Sequence, residues 1–318
     1  MKQQKIATIF GATGFIGRYI TQELAAQGYI IRAASRTPNK AYFLKPYGQI
    51  GQIVPFSCDD SKASIENAVT GADLVVNCVG ILFEKKKGAF TKAHCDLPEL
   101  IAKSCAKKDI KRLVHISALA CDIGTSKYAK SKLAGEVKLH KAFPDAVILR
   151  PSVVFGAEDQ FFNMFARLGR ALPVLPLIGG GNTKFQPVSV IDIARVVRCI
   201  ARANVNDFSH YSGKIFELGG PDVVSFKDIY ALLKRHANIN FIAVTLPWGI
   251  AKAQASILSL MPKPLLTTDQ VEALKTDNVV SAQANGFQQF NITPASMDAI
   301  LPNYLGQYAY KPQKQEAA

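Results

Sequence analysis

Apolar and polar positions along the chain fall into two alternating periods. Residues 5–10 (KIATIF) form a short apolar, β-rich run, and Gly11 opens a turn. From Gly14 the period lengthens. Ile16, Ile20 and Leu24 recur at four-residue spacing up to Gly28, which predicts an amphipathic helix. Apolar runs at 29–34, 52–56, 73–79, 112–117 and 146–150 read as strands, and segments at roughly 61–69, 91–107 and 126–142 read as helices. Strands alternating with helices imply a parallel sheet covered on both faces. The near-continuous apolar character of these strands fits burial from both sides. The expected fold class is α/β, a Rossmann-type doubly wound parallel sheet with a smaller, mostly helical C-terminal part.

After Arg150 the order loosens. PSVVFG (151–156) precedes a helix near 159–171 and a proline- and glycine-rich loop, ALPVLPLIGGGN. Pieces at 185–197 and 214–220 read as strand and helix returning to the sheet. Beyond about 221 the helical segments are 225–236, 247–260 and 267–276, and the polar tail YKPQKQEAA is expected to be mobile. The division that follows is a dinucleotide-binding domain over 1–155, rejoined by 185–220, and a smaller substrate- or partner-facing region over 156–318. In PWGIAKAQASILSL (247–260), Trp248, Ile250, Ala251, Ile257 and Leu258 form an apolar stripe broken by Lys252 and Gln254. Such a stripe reads first as packing on its own domain and second as an interfacial or partner-facing surface.

Composition narrows the class. Of 318 residues, 48% are hydrophobic and 19% charged, which is globular and not disordered. No apolar run is long enough for a membrane-spanning helix. The opening MKQQKIATIF leaves no room for a cleavable signal segment, so a cytoplasmic or equivalent compartment is expected. Six scattered cysteines without a C-x-x-C pair read as buried reduced thiols, and no Cys/His cluster has metal-ligand spacing. The net charge of +14 arises in small knots such as Lys85-Lys86-Lys87 and Lys107-Lys108. These read as solvated loops and helix ends, then as a basic docking face. Nucleic acid is not expected, because base-stacking aromatics are not interleaved with the cations.

The sharpest chemical signal lies at the first turn. FGATGFIG places Gly11, Gly14 and Gly17 between a strand and a helix, with Thr13, Phe15 and Ile16 among them. Gly11 permits the tight turn, Gly14 lets backbone approach a pyrophosphate, and Gly17 lets the helix pack close. The helix N-terminus then offers N–H groups to phosphate. Past the second strand the sequence is RAASRTP. Arg36 stands where an acidic residue would favour NAD(H), so NADP(H) is preferred and NAD(H) remains possible. After the fifth strand, Tyr128 and Lys132 share one helix face at i, i+4. They form either a proton-transfer pair, with the ammonium lowering the phenol pKa, or a clamp on a nicotinamide ribose.

GATGFIG, NCVG (77–80), HIS (115–117), YAKSK (128–132) and RPSVVFG (150–156) together resemble the extended short-chain dehydrogenase/reductase superfamily. The resemblance implies cofactor contacts from Val79, Gly80 and Pro151. It also implies a catalytic set of Ser117, Tyr128 and Lys132, helped by an asparagine. Here His94 stands at the asparagine position and Ala118 where a second hydroxyl is frequent. The aspartate that contacts adenine is replaced by Cys58, with Asp59 beside it. HCDLPELIAKSCAKKDIKRLVHISAL, FGAEDQFFNMFA and TTDQVEALKTDNVVS resemble more closely the atypical accessory-subunit family of respiratory complex I, NADH:ubiquinone oxidoreductase. That likeness implies a structurally held NADP(H), complex I subunits as partners, and a place at the membrane surface on the cytoplasmic face, or the matrix side in mitochondria. Two other readings stay open. One is an oxidoreductase or epimerase acting on a carbonyl or sugar nucleotide. The other is an NADP(H)-sensing binding protein.

Overall fold

In the computed structural model, residues 4–262 and 264–309 are described; the tail YKPQKQEAA (310–318), expected to be mobile, lies outside the described residues. β1 (Ile6–Phe10), β2 (Ile30–Ser35), β3 (Ile53–Ser57), β4 (Leu74–Asn77), β5 (Leu113–Ile116) and β6 (Val147–Pro151) form one sheet with the strand Ile215–Leu218. The spatial order is Ile215–Leu218, β6, β5, β4, β1, β2, β3, and every pairing is parallel. The strand order reverses between β1 and β4. In a doubly wound sheet the crevice at that reversal, beyond the carboxyl ends of the strands, is where ligands sit.

Alternate strand residues feed two cores. Ile9, Val76 and Val114 face a layer built by Ile20 and Leu24 of α1 (Phe15–Ala26) and by Ile193, Val197 and Ile200 further along the chain. Phe10, Val75 and Leu113 face the other layer, with Ile65 of α2 (Lys62–Val69), Ile101 of α3 (Leu97–Lys107) and Leu139 of α4 (Lys127–Ala142). The two-residue side-chain period of a strand produces this division.

The region expected to form a single helix over 91–107 is a π-helical turn, Thr91–Asp96, running into α3 with Pro98 in its first turn. Proline lacks the N–H of the regular ladder, and its ring restricts the residue before it. The expected loop ALPVLPLIGGGN is corrected in part. Val174–Ile178 is a strand, paired in parallel with Ile242–Leu246. Leu175 and Leu177 are buried while Val174 is exposed, the alternation a half-buried strand requires. Pro176 is tolerated because its nitrogen faces away from the partner strand.

α5 (Phe161–Ala171), the helix Phe226–Ala237 and this strand pair enclose a third core of Phe162, Leu175, Phe226, Tyr230 and Leu301. α6 (Val190–Arg202) returns to the main sheet beside α1. A fourth, small core joins the helices Trp248–Leu258 and Thr268–Ala273 through Ala251, Ala255, Val271 and Ile178.

Candidate functional site

Every sequence-nominated residue lies at the carboxyl end of a sheet strand or on the element that follows it. Gly11 follows β1 with φ +78, and a Cβ there would stand 3.0 Å from the Cys78 carbonyl carbon. That conformation and that approach both require glycine. A Cβ on Gly17 would fall 2.1 Å from the Gly11 carbonyl oxygen, so α1 can lie this close only with glycine there. Gly14 is the N-cap of α1, extended and exposed, with no side chain covering the helix end. Thr13, Phe15 and Ile16 are half-buried around it. The turn fits a dinucleotide pyrophosphate.

Arg36 follows β2 and is three-quarters exposed. An acid absent from the local sequence arrives through the fold: Asp60 lies 3.9 Å from Arg36 and 2.9 Å from Lys92 of the π-helical turn. Two cations thus flank Asp60 beside the second strand. Asp59 accepts hydrogen bonds from the Ser61 N–H (2.9 Å) and hydroxyl (2.6 Å), and these hold its carboxyl below the usual range. Past β4, Val79 donates its N–H to Asn77 Oδ1, and Gly80 abuts the His94 ring. Pro151 ends β6, buried, its carbonyl accepting from Leu119 N–H.

The residues expected at the nicotinamide end lie on α4 and at the end of β5. Lys132 is 3% exposed, and its Nζ donates to the Ile116 carbonyl at 2.9 Å; burial pulls its pKa down to about 8. Burial pushes the Tyr128 phenol up to about 12. The Tyr128 ring meets His94 edge-on at 5.3 Å and Phe90 at 5.9 Å, and Phe90 and His94 are stacked. Ser117 follows β5 with its hydroxyl buried and unpartnered, as is Nε2 of His115. A buried hydroxyl without a partner costs roughly 1–3 kcal/mol, which a bound ligand can recover.

His94 stands where the resemblance implies an asparagine, and its geometry fixes its state. Nε2 accepts the Ile81 N–H at 3.1 Å, so the ring proton sits on Nδ1 and is donated to Ser131 Oγ at 2.8 Å. Ser131 in turn donates to the Tyr128 carbonyl at 2.7 Å. Burial, with the Lys132 charge nearby, lowers the His94 pKa to about 3. The imidazole is therefore neutral and locked between the Ile81 N–H and the Ser131 hydroxyl.

Sequence reasoning missed what closes the site from the other side. Asp269 accepts the Lys127 N–H at 2.6 Å and the Tyr128 N–H at 3.0 Å, and Glu272 accepts the Thr125 hydroxyl at 2.9 Å. Asn278 accepts the Ser152 hydroxyl at 2.7 Å and donates to the Leu119 carbonyl at 3.1 Å. The distinctive TTDQVEALKTDNVVS stretch is thus a strap across the strand ends, but nothing local in those residues announces it. Arg150 of the RPSVVFG motif is buried and pairs with the buried Glu136 (2.7 Å) and Glu217 (3.7 Å) and with the exposed Asp122 (2.7 Å).

The profile of the NAD dependent epimerase/dehydratase family matches residues 7–219. NADH dehydrogenase (ubiquinone) 1 alpha subcomplex subunit 9, mitochondrial, of Arabidopsis thaliana is 34% identical over 316 residues, covering 95% of this chain and 78% of that protein. The 40 kDa subunit of Neurospora crassa mitochondrial NADH-ubiquinone oxidoreductase is 30% identical over 305 residues, covering 95% of this chain and 79% of the relative. Among solved structures, Citrobacter sp. triphenylmethane reductase complexed with NADP(H) superposes with a TM-score of 0.73 at 16% identity, over 96% of this chain and all of that one. An Escherichia coli NADPH-dependent quinone oxidoreductase complexed with NADPH gives 0.71 at 18% identity, over 95% and 99%. These two likenesses speak for the fold alone. With its glycine turn, its Y-x-x-x-K helix face and its near full-length match to those subunits, the chain belongs to the NAD dependent epimerase/dehydratase family and, within it, to the family of the alpha subcomplex subunit 9 of NADH dehydrogenase (ubiquinone).

Proposed function

We propose that this protein is an accessory and assembly subunit of respiratory complex I that holds NADP(H) structurally, with little or no turnover. One observation carries the reading: the glycine turn is complete, while among the described residues no hydrogen bond joins Tyr128, Lys132 and Ser117 into a proton relay. The glycine turn fits a pyrophosphate. Lys132 Nζ is bonded to the Ile116 carbonyl, and burial holds the Tyr128 phenol near 12, far from the neutral value a general base needs. His94 spends both ring nitrogens on Ile81 and Ser131, so it has none left for a relay.

NADP(H) is preferred because Arg36, three-quarters exposed after the second strand, can reach the adenosine 2′-phosphate, with Lys92 close by. When bound, the cofactor would supply hydride chemistry. Gly11, Thr13, Gly14, Phe15, Ile16 and Gly17 would cradle its phosphates. Asp59, Val79, Gly80 and Pro151 would border its adenosine and nicotinamide halves, and Ser117, Tyr128 and Lys132 would face the nicotinamide ribose.

Partner contact falls to the C-terminal region. The helix Trp248–Leu258 buries only Ala251 and Ala255, and it exposes Ile250 and Ile257 beside the exposed Leu260, Met261 and Leu265. Among the described residues no helix is long and apolar enough to cross a membrane. An apolar face of this size fits complex I subunits at the membrane surface, on the cytoplasmic face or, in mitochondria, the matrix side. Native mass analysis of the protein from its membranes tests the whole reading, with NADP(H) and complex I subunits expected together. Purification free of both, with complex I assembling normally after deletion, would defeat it.

A second reading, a turnover enzyme of the extended class, is favoured by the shared face of Tyr128 and Lys132 and by the unpartnered Ser117 hydroxyl. Robust carbonyl reduction that disappears in Tyr128→Phe would establish it.

A further inference from the structure

α4 begins without enough caps of its own. Its first N–H groups belong to Lys127, Tyr128 and Ala129, which have no acceptor inside the helix. Ser126 serves one of them, its hydroxyl accepting Ala129 N–H at 3.1 Å. The other two converge on a single carboxylate from 141 residues further on: Asp269 takes Lys127 N–H on Oδ1 and Tyr128 N–H on Oδ2. An anion at a helix N-terminus is stabilised by the helix dipole as well as by the bonds.

The helix turn that carries Asp269 has a second attachment. Val271, two residues on, is buried against Ala251, Ala255 and Ile178. These two alanines are the only buried residues of Trp248–Leu258. Besides them the half-buried Trp248 packs on the same core, its ring over Gly179, and an element with so few buried contacts opens at low free energy. Its order is therefore shared with the Thr268–Ala273 turn, and that turn is pinned to α4 by Asp269, with Glu272 on Thr125 as a second tie.

We propose that Asp269 is a positioning residue for the bound dinucleotide, and that through it the nucleotide site and the exposed apolar helix Trp248–Leu258 order as one unit. This rests on the reading of the site as an NADP(H) holder. A ligand that requires α4 to be ordered from Lys127 to Lys132 stabilises the Asp269 contact. The Val271 contact carries that stabilisation to the partner-facing helix. By thermodynamic linkage, docking of that helix tightens nucleotide binding by the same factor. Without Asp269 the first turn of α4 frays in the free protein, and apparent affinity falls by the fraction of chains still competent. Loss of a cap of this kind corresponds to about a fivefold weakening.

Hydrogen–deuterium exchange on the full chain, with and without NADPH, tests it, alongside titration of NADPH binding. In the wild type, NADPH is expected to slow exchange at 127–132 and also at 248–258 and 268–273, which the proposed ligand does not touch. Asp269→Asn should weaken NADPH about fivefold and abolish the slowing at 248–258, with Asp269→Glu recovering part of both. Binding by the wild type with no change at 248–258 overturns the coupling and leaves the nucleotide reading standing. So does an Asp269→Asn variant that binds and protects like the wild type. A wild-type chain that binds no NADPH overturns both together. If Asp269→Asn fails to fold, the wild-type exchange comparison decides alone.

Discussion

His94 shows how one side chain can settle the chemistry of a site. It is buried and neutral, with its pKa lowered to about 3, and His115 is lowered well below its usual value by its own burial. In the unfolded chain both titrate near 6.5. Below that pH the unfolded state binds protons that the folded state refuses, so stability falls as pH falls from about 6.5. The slope is at most about 1.4 kcal/mol per pH unit for each histidine. Thermal unfolding at pH 7 and pH 5 should therefore show a marked acid loss, and His94→Asn should remove about half of it, since one of two comparable slopes is gone. An unchanged slope in that variant would refute the assignment of the neutral state. At the same scale, Lys132→Met should weaken NADPH roughly ten- to a hundredfold by removing a charged donor, while Tyr128→Phe should stay within about fivefold. Isothermal titration of the two variants checks this; a larger loss in Tyr128→Phe would make the phenol the principal grip.

Among the elements, α4 is the one on which the site depends. Glycine at 135 lets it lie against the π-helical turn, where a Cβ would fall 1.7 Å from the His94 carbonyl oxygen. The backbone atom in the way cannot swing aside as a side-chain tip can. Gly135→Ala should cost about 3 kcal/mol in denaturant unfolding and disturb the His94–Ser131 bond with it. A cost within the ordinary range of a surface change would show that the two helices can separate freely. The sheet strands and α1 to α4 were legible because each carries its own hydrophobic period, with glycine turns marking the first of them. The pairing of Val174–Ile178 with Ile242–Leu246 was not. Two prolines and three glycines mark ALPVLPLIGGGN as a loop, and what makes part of it a strand is a partner more than sixty residues away. Asp269 was illegible for the same reason: a carboxylate three residues into TTDQ reads as a local helix start, and only the fold brings α4 to it. Asp60 beside Arg36 is the milder case, a neighbour through space where the sequence showed none.

For the whole molecule, charge and apolar surface divide the work of docking. The net charge of +14 is spread over the chain, whereas Ile250, Ile257, Leu260, Met261 and Leu265 are exposed within sixteen residues. Spread charge attracts an anionic surface at long range and is screened within about 10 Å at 0.1 M salt. A local apolar patch acts only on contact and does not weaken with salt. The two contributions therefore separate in one experiment on washed membranes containing complex I. Raising the salt should slow capture of the protein while leaving most of what is already bound in place. The double variant Ile257→Ser, Leu260→Ser should instead be captured at the normal rate and lost quickly. Burying either side chain is worth about 1.5–3 kcal/mol, so retention should fall roughly tenfold or more for each. Both side chains point away from the core, so NADPH affinity and thermal stability of the isolated variant should match the wild type. Full release by salt alone, with the double variant retained like the wild type, would assign the docking to the basic surface and leave the apolar helix without a role in it.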